Sequence, residues 1–175
     1  MKENHAKEEI LRFLEKSGVR CRIFSHEIAN DLDTKRKNDA ANGVYGATHC
    51  KNLVLANRKK TRFFLLTMPF EKRFFTGPTS RQMGSGRLNF AEDEVLSRLL
   101  HTTPGKVSPL ELIFDEGKIL SFFMDEDLKS AESLCFHPAD DTCTVVIPRE
   151  EFFEKLLPTM EVTPNFVSIP ESDGQ

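Results

Sequence analysis

Several signatures are missing from this sequence, and each absence removes a class of function. No apolar run approaches the roughly 20 residues that a membrane-spanning helix needs. The opening MKENHAKEEI is charged and carries no apolar signal region, so the expected compartment is the cytoplasm, with no membrane partner. The four cysteines, Cys21, Cys50, Cys135 and Cys143, include no C-x-x-C pair. In a cytosolic chain they read as free thiols. Excess positive charge is missing too: 24 Lys and Arg face 27 Asp and Glu, a formal net charge of −3. A general nucleic-acid coat wants a strongly basic surface. A protein that grips only one end of an RNA is compatible with this balance.

Motifs for bound cofactors are equally scarce. GSGRLNF lacks the third glycine and the Lys-Ser/Thr of phosphate-binding loops. There is no H-E-x-x-H. His49–Cys50 and Cys135–His137 supply four side chains of metal-ligating type, but neighbours on a strand point to opposite faces, which makes a tetrahedral site awkward. We therefore expect no metal and no cofactor. Cys50 and Cys135 sit in apolar strand patterns, where buried inert thiols are the usual finding, so no thiol nucleophile stands out.

What is present is a mixture of helical and strand patterns. Ile10, Leu11 and Leu14 make an apolar stripe that predicts a helix over 6–17, stopped by Gly18. RCRIFSH reads as a strand, and ANDLDTKRKNDAANG as a short helix with a mobile polar segment near 29–46. KNLVLANRKKTRFFLLTM reads as a hairpin around a polar turn. GPTSRQMGSG predicts a short helix, RLNFA a strand, and residues 92–101 a helix opened by acidic residues that suit its N-terminus. LELIF and ILSFFM around DEGK predict a second hairpin, ESLCFHP and TCTVVIP a third strand pair. REEFFEKLL predicts a helix ending before Pro158, and NFVSI a last strand. Strict βαβ alternation is missing, so the expectation is one α+β domain over 1–175, a largely antiparallel or mixed sheet flanked by helices.

Three short segments remain as candidate chemistry. Lys51-Asn52 stands at a strand start, GKVSP (Gly105 to Pro109) is a loop with a permissive glycine and a stiffening proline, and His137 ends a strand before Pro138. Singly, each reads first as something bland: an edge lysine, a turn and a surface histidine. Together they are more suggestive, because loops at strand ends carry chemistry on a rigid scaffold.

CKNLVL, GKVSPLEL, ILSFFMDEDL and FHPADDTCTVVIPREEFFEKLL, in that order and spacing, resemble the YbaK-like aminoacyl-tRNA editing domains. The likeness is greatest to the free-standing prolyl-tRNA synthetase-associated proteins and runs over roughly residues 5 to 169. It implies an enzyme that deacylates mischarged tRNA at the 3′ aminoacyl end, with Ala-tRNA(Pro) as substrate and no metal or cofactor. It also raises contact with prolyl-tRNA synthetase or another translation factor. By this resemblance Lys51 matches the functional lysine and Asn52 its companion. Gly105, Ser108 and Pro109 match the G-x-x-x-P loop, and His137 matches the histidine before proline. Lys51 and Gly105 are then the catalytic candidates; Asn52, Ser108, Pro109 and His137 are the substrate-binding ones.

An aminoacyl ester is already activated, so such an enzyme chiefly positions it, excludes larger amino acids and stabilises the oxyanion. Lys51 can offer charge to a phosphate or the ester, and the N–H groups around Gly105 to Ser108 can bind the carbonyl oxygen. The family further implies that a ribose hydroxyl of the substrate helps activate water. Two positions depart from the family pattern: Leu110-Glu111 stands where Phe-Gly is common, and Asp140-Asp141 where Asn is common. Two rival readings accompany this one: a Cys-tRNA deacylase of the same fold, and a non-catalytic module that binds an amino acid or aminoacyl-tRNA.

Overall fold

Strand β2 (Thr48–Ala56) and strand β3 (Phe63–Pro69) form the centre of a mixed sheet, antiparallel over seven residue pairs from Cys50↔Pro69 to Ala56↔Phe63. This is the hairpin expected from the two apolar runs. Its turn is held by Asn57, whose Oδ1 accepts the Thr61 and Arg62 N–H groups. The computed structural model describes residues 2–171, with side chains from residue 5 onward.

The sheet order is β1-β7-β6-β2-β3-β5-β8, with the short β4 also on β2. β1 (Arg22–Ser25), β5 (Leu120–Asp125), β6 (Ser133–Phe136), β7 (Cys143–Pro148) and β8 (Asn165–Val167) complete it. β6 lies parallel to β2 at only two pairs, Thr48↔Leu134 and His49↔Cys135. Farther along the same strand, β4 (Asn89–Phe90) pairs with Leu55 and Ala56. Among the described residues, no strand covers that edge of β2 between Cys50 and Val54. Lys51 and Asn52 stand in this gap.

The two faces of β2 serve different cores. Val54 and Cys50 belong to the larger one, with Ile10 and Leu14 of α1 (Lys2–Lys16), Leu100 of α4 (Asp93–Leu100), and Phe122, Phe136 and Phe152. Leu53 and Leu55 face the smaller one, with Phe64, Leu66, Met68 and Leu88. Each fully buried Leu or Phe contributes about 1.5–3 kcal/mol. The result is a single compact α+β domain, as the mixed pattern indicated. Among the described residues no helix is long and apolar enough to cross a membrane.

Two elements differ from their sequence reading. LELIF is not a strand: Pro109–Phe114 is a 3₁₀ helix, so β5 has no hairpin partner there and pairs instead in parallel with β3. The cause is a capping box, in which Ser108 and Glu111 each reach the other's end of the first turn, with Pro109 at the first helical position. The C-terminal helix does not stop before Pro158. A π-helical turn, Glu151–Leu156, runs into Leu157–Thr159, whose first turn tolerates Pro158 because no intrahelical N–H bond is needed there.

The polar stretch near 29–46 contains α2 (Leu32–Ala41), opened by Asp31, whose side chain accepts the Thr34 N–H. Lys35 and Asp39 on this helix are both buried.

Candidate active site

Side chains alternate along β2, so Lys51 shares a face with His49 and Leu53 while Asn52 points to the other. Lys51 is half-buried, and burial alone lowers its ammonium below the ordinary lysine range. Among the described residues it has neither a carboxylate within ion-pair distance nor a hydrogen-bond acceptor. Asn52 is engaged by its cross-strand partner: its Oδ1 accepts the Thr67 hydroxyl at 2.6 Å.

His137 follows β6 directly, and because β6 runs parallel to β2, it lies at the same end of the sheet as Lys51. Its Nδ1 is 2.8 Å from the Cys143 carbonyl, which can only accept, so the proton sits on Nδ1. Its Nε2 faces the Lys35 ammonium at 3.3 Å and is therefore the acceptor. Burial first, then the nearby Lys35, His26 and His49, push this imidazole down to about 4, against the raising effect of the Cys143 carbonyl. His137 is neutral at physiological pH.

The loop before the 3₁₀ helix is shaped by Gly105 at φ +87°, a left-handed conformation that favours glycine. No atom lies within 4 Å of where a Cβ would stand, so the requirement is conformational and not one of space. Of the loop amides, Lys106 donates to the Thr103 carbonyl and Ser108 to the Glu111 carboxyl at 3.1 Å. Gly105 and Val107 keep their N–H groups without a partner among the described residues. The loop amides left open to a ligand among the described residues are thus those of Gly105 and Val107, not Ser108. Ser108 and Pro109 are buried structural elements of the cap.

The structure brings Lys51 and His137 to one end of the sheet. Asn52, by alternation, faces the larger core that Val107 and Leu110 enter. No hydrogen bond joins Lys51 to the Gly105 loop. The link between loop and histidine runs through Glu111. Burial raises its carboxyl well above the usual range, opposed by the Ser108 hydroxyl and the amides of Glu111, Ser108 and Ala139. Ala139 is two residues beyond His137.

Both departures from the family pattern have local explanations. Glu111, fully buried, closes the capping box that holds the loop. Asp140 is desolvated, yet hydrogen bonds from Lys7 and Thr142 hold its carboxyl down to about 2. It closes the His137 turn and ties it to α1.

Beside His137, two of the four candidate ligands read from the sequence, His49 and Cys135, meet a third that the sequence reading did not name, Asp39. Asp39, His49 and Cys135 bring three donor atoms within 4.8 Å, all buried. Asp39 already bonds His49 Nε2 at 2.6 Å, and its other oxygen has no partner. The Lys35 ammonium on the same helix opposes a divalent cation, and burial pushes the Cys135 thiol up, away from the thiolate a metal needs. We assign no metal to it. Cys50, on the opposite face, is likewise raised by burial and inert. For Glu111 a signal existed, the S-x-x-E of a capping box. For Lys35 and Asp39 there was none: the partner of Lys35 is 102 residues away, and the Asp39–His49 pair joins a helix to a strand across a loop with no local signature.

Residues 30–154 match the family model of the aminoacyl-tRNA editing domain, well over half of the chain. The chain belongs to that family. As an editing domain it is an enzyme of the aminoacyl-tRNA deacylase class, an ester hydrolase, and its partner is aminoacylated tRNA. It is 26% identical over 152 residues to the prolyl-tRNA editing protein ProX of Acetoanaerobium sticklandii, covering 87% of this chain and 90% of that protein. It is 30% identical over 108 residues to the prolyl-tRNA synthetase associated domain-containing protein 1 of Mus musculus, covering 59% of this chain and 63% of that one. A crystal structure of a candidate trans-editing enzyme for prolyl tRNA synthetase superposes with a TM-score of 0.68 at 19% identity, over 95% of this chain and 98% of that one. That likeness is one of fold.

Proposed function

We propose that this editing domain acts in trans on mischarged tRNA, with Ala-tRNA(Pro) as its substrate, and that Lys51 and His137 form its site together with the Gly105 loop, which approaches from the Asn52 face of β2. The observation that carries the reading is Lys51. A half-buried ammonium without a counter-charge is costly to hold, and it is held at a gap in the sheet edge where an anionic substrate can approach. In this mechanism the Lys51 ammonium meets a phosphate of the terminal nucleotide or the charge that develops on the ester. The free N–H groups of Gly105 and Val107 donate hydrogen bonds to the oxyanion. Water adds to the carbonyl carbon, the ester C–O bond breaks, and the departing ribose oxygen takes up the proton that the attacking water gives up, which leaves the free amino acid and the tRNA hydroxyl. His137, neutral and bonded at both ring nitrogens, lines the site without acting as a base. Contact with prolyl-tRNA synthetase belongs to the same reading, which the prolyl-tRNA names of the relatives support.

Selection of alanine over proline works by exclusion, since an apolar pocket gains only about 1–3 kcal/mol per methylene. The test is a hydrolysis panel with the purified protein: Ala-tRNA(Pro), Cys-tRNA(Pro) and Pro-tRNA(Pro). The expected result is fast loss of alanine and sparing of proline. Preferential loss of cysteine would move the substrate assignment, and equal hydrolysis of alanine and proline would end the editing reading.

A further inference from the structure

Lys35 is 92% withdrawn from solvent, at 8% exposure, on a helix whose sequence is otherwise polar and solvated. Burying an ammonium is unfavourable unless something compensates it. Among the described residues no carboxylate lies within ion-pair distance of it. Its contacts are the Nε2 of His137 at 3.3 Å and the face of Phe70, 5.2 Å from the ring centroid. Both are neutral and electron-rich. Asp39, Asp141, Asp31 and Cys135 act on it from farther away, and burial is the strongest influence on its charge. One turn along the helix, Asp39 bonds His49 on β2, which fixes the helix against the sheet and so fixes where Lys35 reaches.

We propose that Lys35 is the positioning residue of His137: its ammonium occupies Nε2 and so holds the ring as the neutral Nδ1–H tautomer, oriented against the Cys143 carbonyl. This rests on the reading of His137 as a site residue. It extends that reading by assigning the ring a fixed proton inventory set from α2. The groups that face the imidazole are Lys35 from α2, His26 after β1, His49 on β2 and the Cys143 carbonyl at the start of β7. Among the described residues, Lys35 alone contacts Nε2. His26 is held elsewhere, its Nε2 2.7 Å from the Thr144 hydroxyl.

The test follows His137 itself by NMR, through its ring carbon-bound proton and its two ring nitrogens, in the wild type and in Lys35→Met and Lys35→Arg. In Lys35→Met the imidazole should titrate above the wild type, toward but short of the ordinary histidine value near 6.5, because burial still lowers it. Tautomer exchange should appear as Nε2 becomes free. Lys35→Arg keeps a cation at Nε2 and should keep the low value and the single tautomer. In kinetics, kcat/KM of Lys35→Met should gain an acid limb that the wild type and Lys35→Arg lack. An unchanged His137 titration in Lys35→Met, with the fold intact by circular dichroism, would overturn the proposal. So would a Lys35→Arg variant that behaves like Lys35→Met. Because the NMR readout needs no tRNA, an inactive wild type with the expected His137 shift would reject the editing reading and leave the positioning role standing.

Discussion

Removal of the Glu111 carboxyl tests whether the capping box is what holds the Gly105 loop. Glu111 is fully buried and takes the Ser108 N–H at 3.1 Å as well as the Ser108 hydroxyl, which itself accepts the Leu110 N–H at 3.2 Å. In Glu111→Ala the Ser108 N–H is left buried and unmatched, a loss of about 1–3 kcal/mol. The weakened cap contributes about 1 kcal/mol more, and the sum is about 2–4 kcal/mol. Glu111→Gln keeps an acceptor for the Ser108 N–H and should cost about 1 kcal/mol or less at acid pH. The two variants also differ in pH response. Burial raises the folded carboxyl above its unfolded value, so the unfolded chain loses its proton first as pH rises. This group therefore supports the fold at low pH and withdraws that support as pH rises above the unfolded value. Glu111→Gln removes the group, so relative to wild type it should be more favourable at pH 8 than at pH 5. Urea unfolding followed by circular dichroism at both pH values measures all of this. A cost below about 0.5 kcal/mol for Glu111→Ala, or no change between the pH values in the comparison with Glu111→Gln, would refute the reasoning.

Two further predictions follow the same site. His137 has a folded pKa of about 4 against an ordinary 6.5, so the unfolded state binds more protons between these values. Stability should be full above about pH 6.5 and fall as pH drops toward 4, by at most about 3.5 kcal/mol at about 1.4 kcal/mol per pH unit. His137→Gln should flatten that fall in urea unfolding, and an identical slope in both proteins would contradict the assignment. Dialysis against EDTA should leave the deacylation rate and the melting temperature unchanged. A loss of either, restored by zinc, would return the Asp39–His49–Cys135 cluster to consideration as a metal centre.

The parts of the fold that were legible are those that rest on local pattern. The β2–β3 hairpin was marked by two apolar runs around NRKK, and β6 with β7 by the runs around ADD. LELIF was misread because its L-E-L-I-F alternation has the period of a strand, whereas the buried Ser108–Glu111 exchange favours a helical turn. A buried glutamate inside an apolar run is what the pattern could not anticipate. The candidate site residues were visible only as an ordered set of weak motifs. Their surroundings were not visible at all: Lys35 and Asp39 read as solvated helix, and they are buried because His137 and His49 receive them. The Lys35–His137 contact spans 102 residues and depends on the parallel β2–β6 pairing that brings His137 beside β2, which has no local signature.

The account stands most directly on Lys51, and single-turnover hydrolysis of Ala-tRNA(Pro) by Lys51→Ala tests it. If the free ammonium stabilises charge in the transition state, the rate should fall by roughly 10²–10³-fold, the range for losing one electrostatic donor. Lys51→Arg should recover part of it, because the charge is kept but spread over a planar fork. Cys50→Ala, one residue away on the opposite face, should hydrolyse at nearly the wild-type rate. Full activity in Lys51→Ala, or loss of activity in Cys50→Ala with an intact fold, would contradict the account.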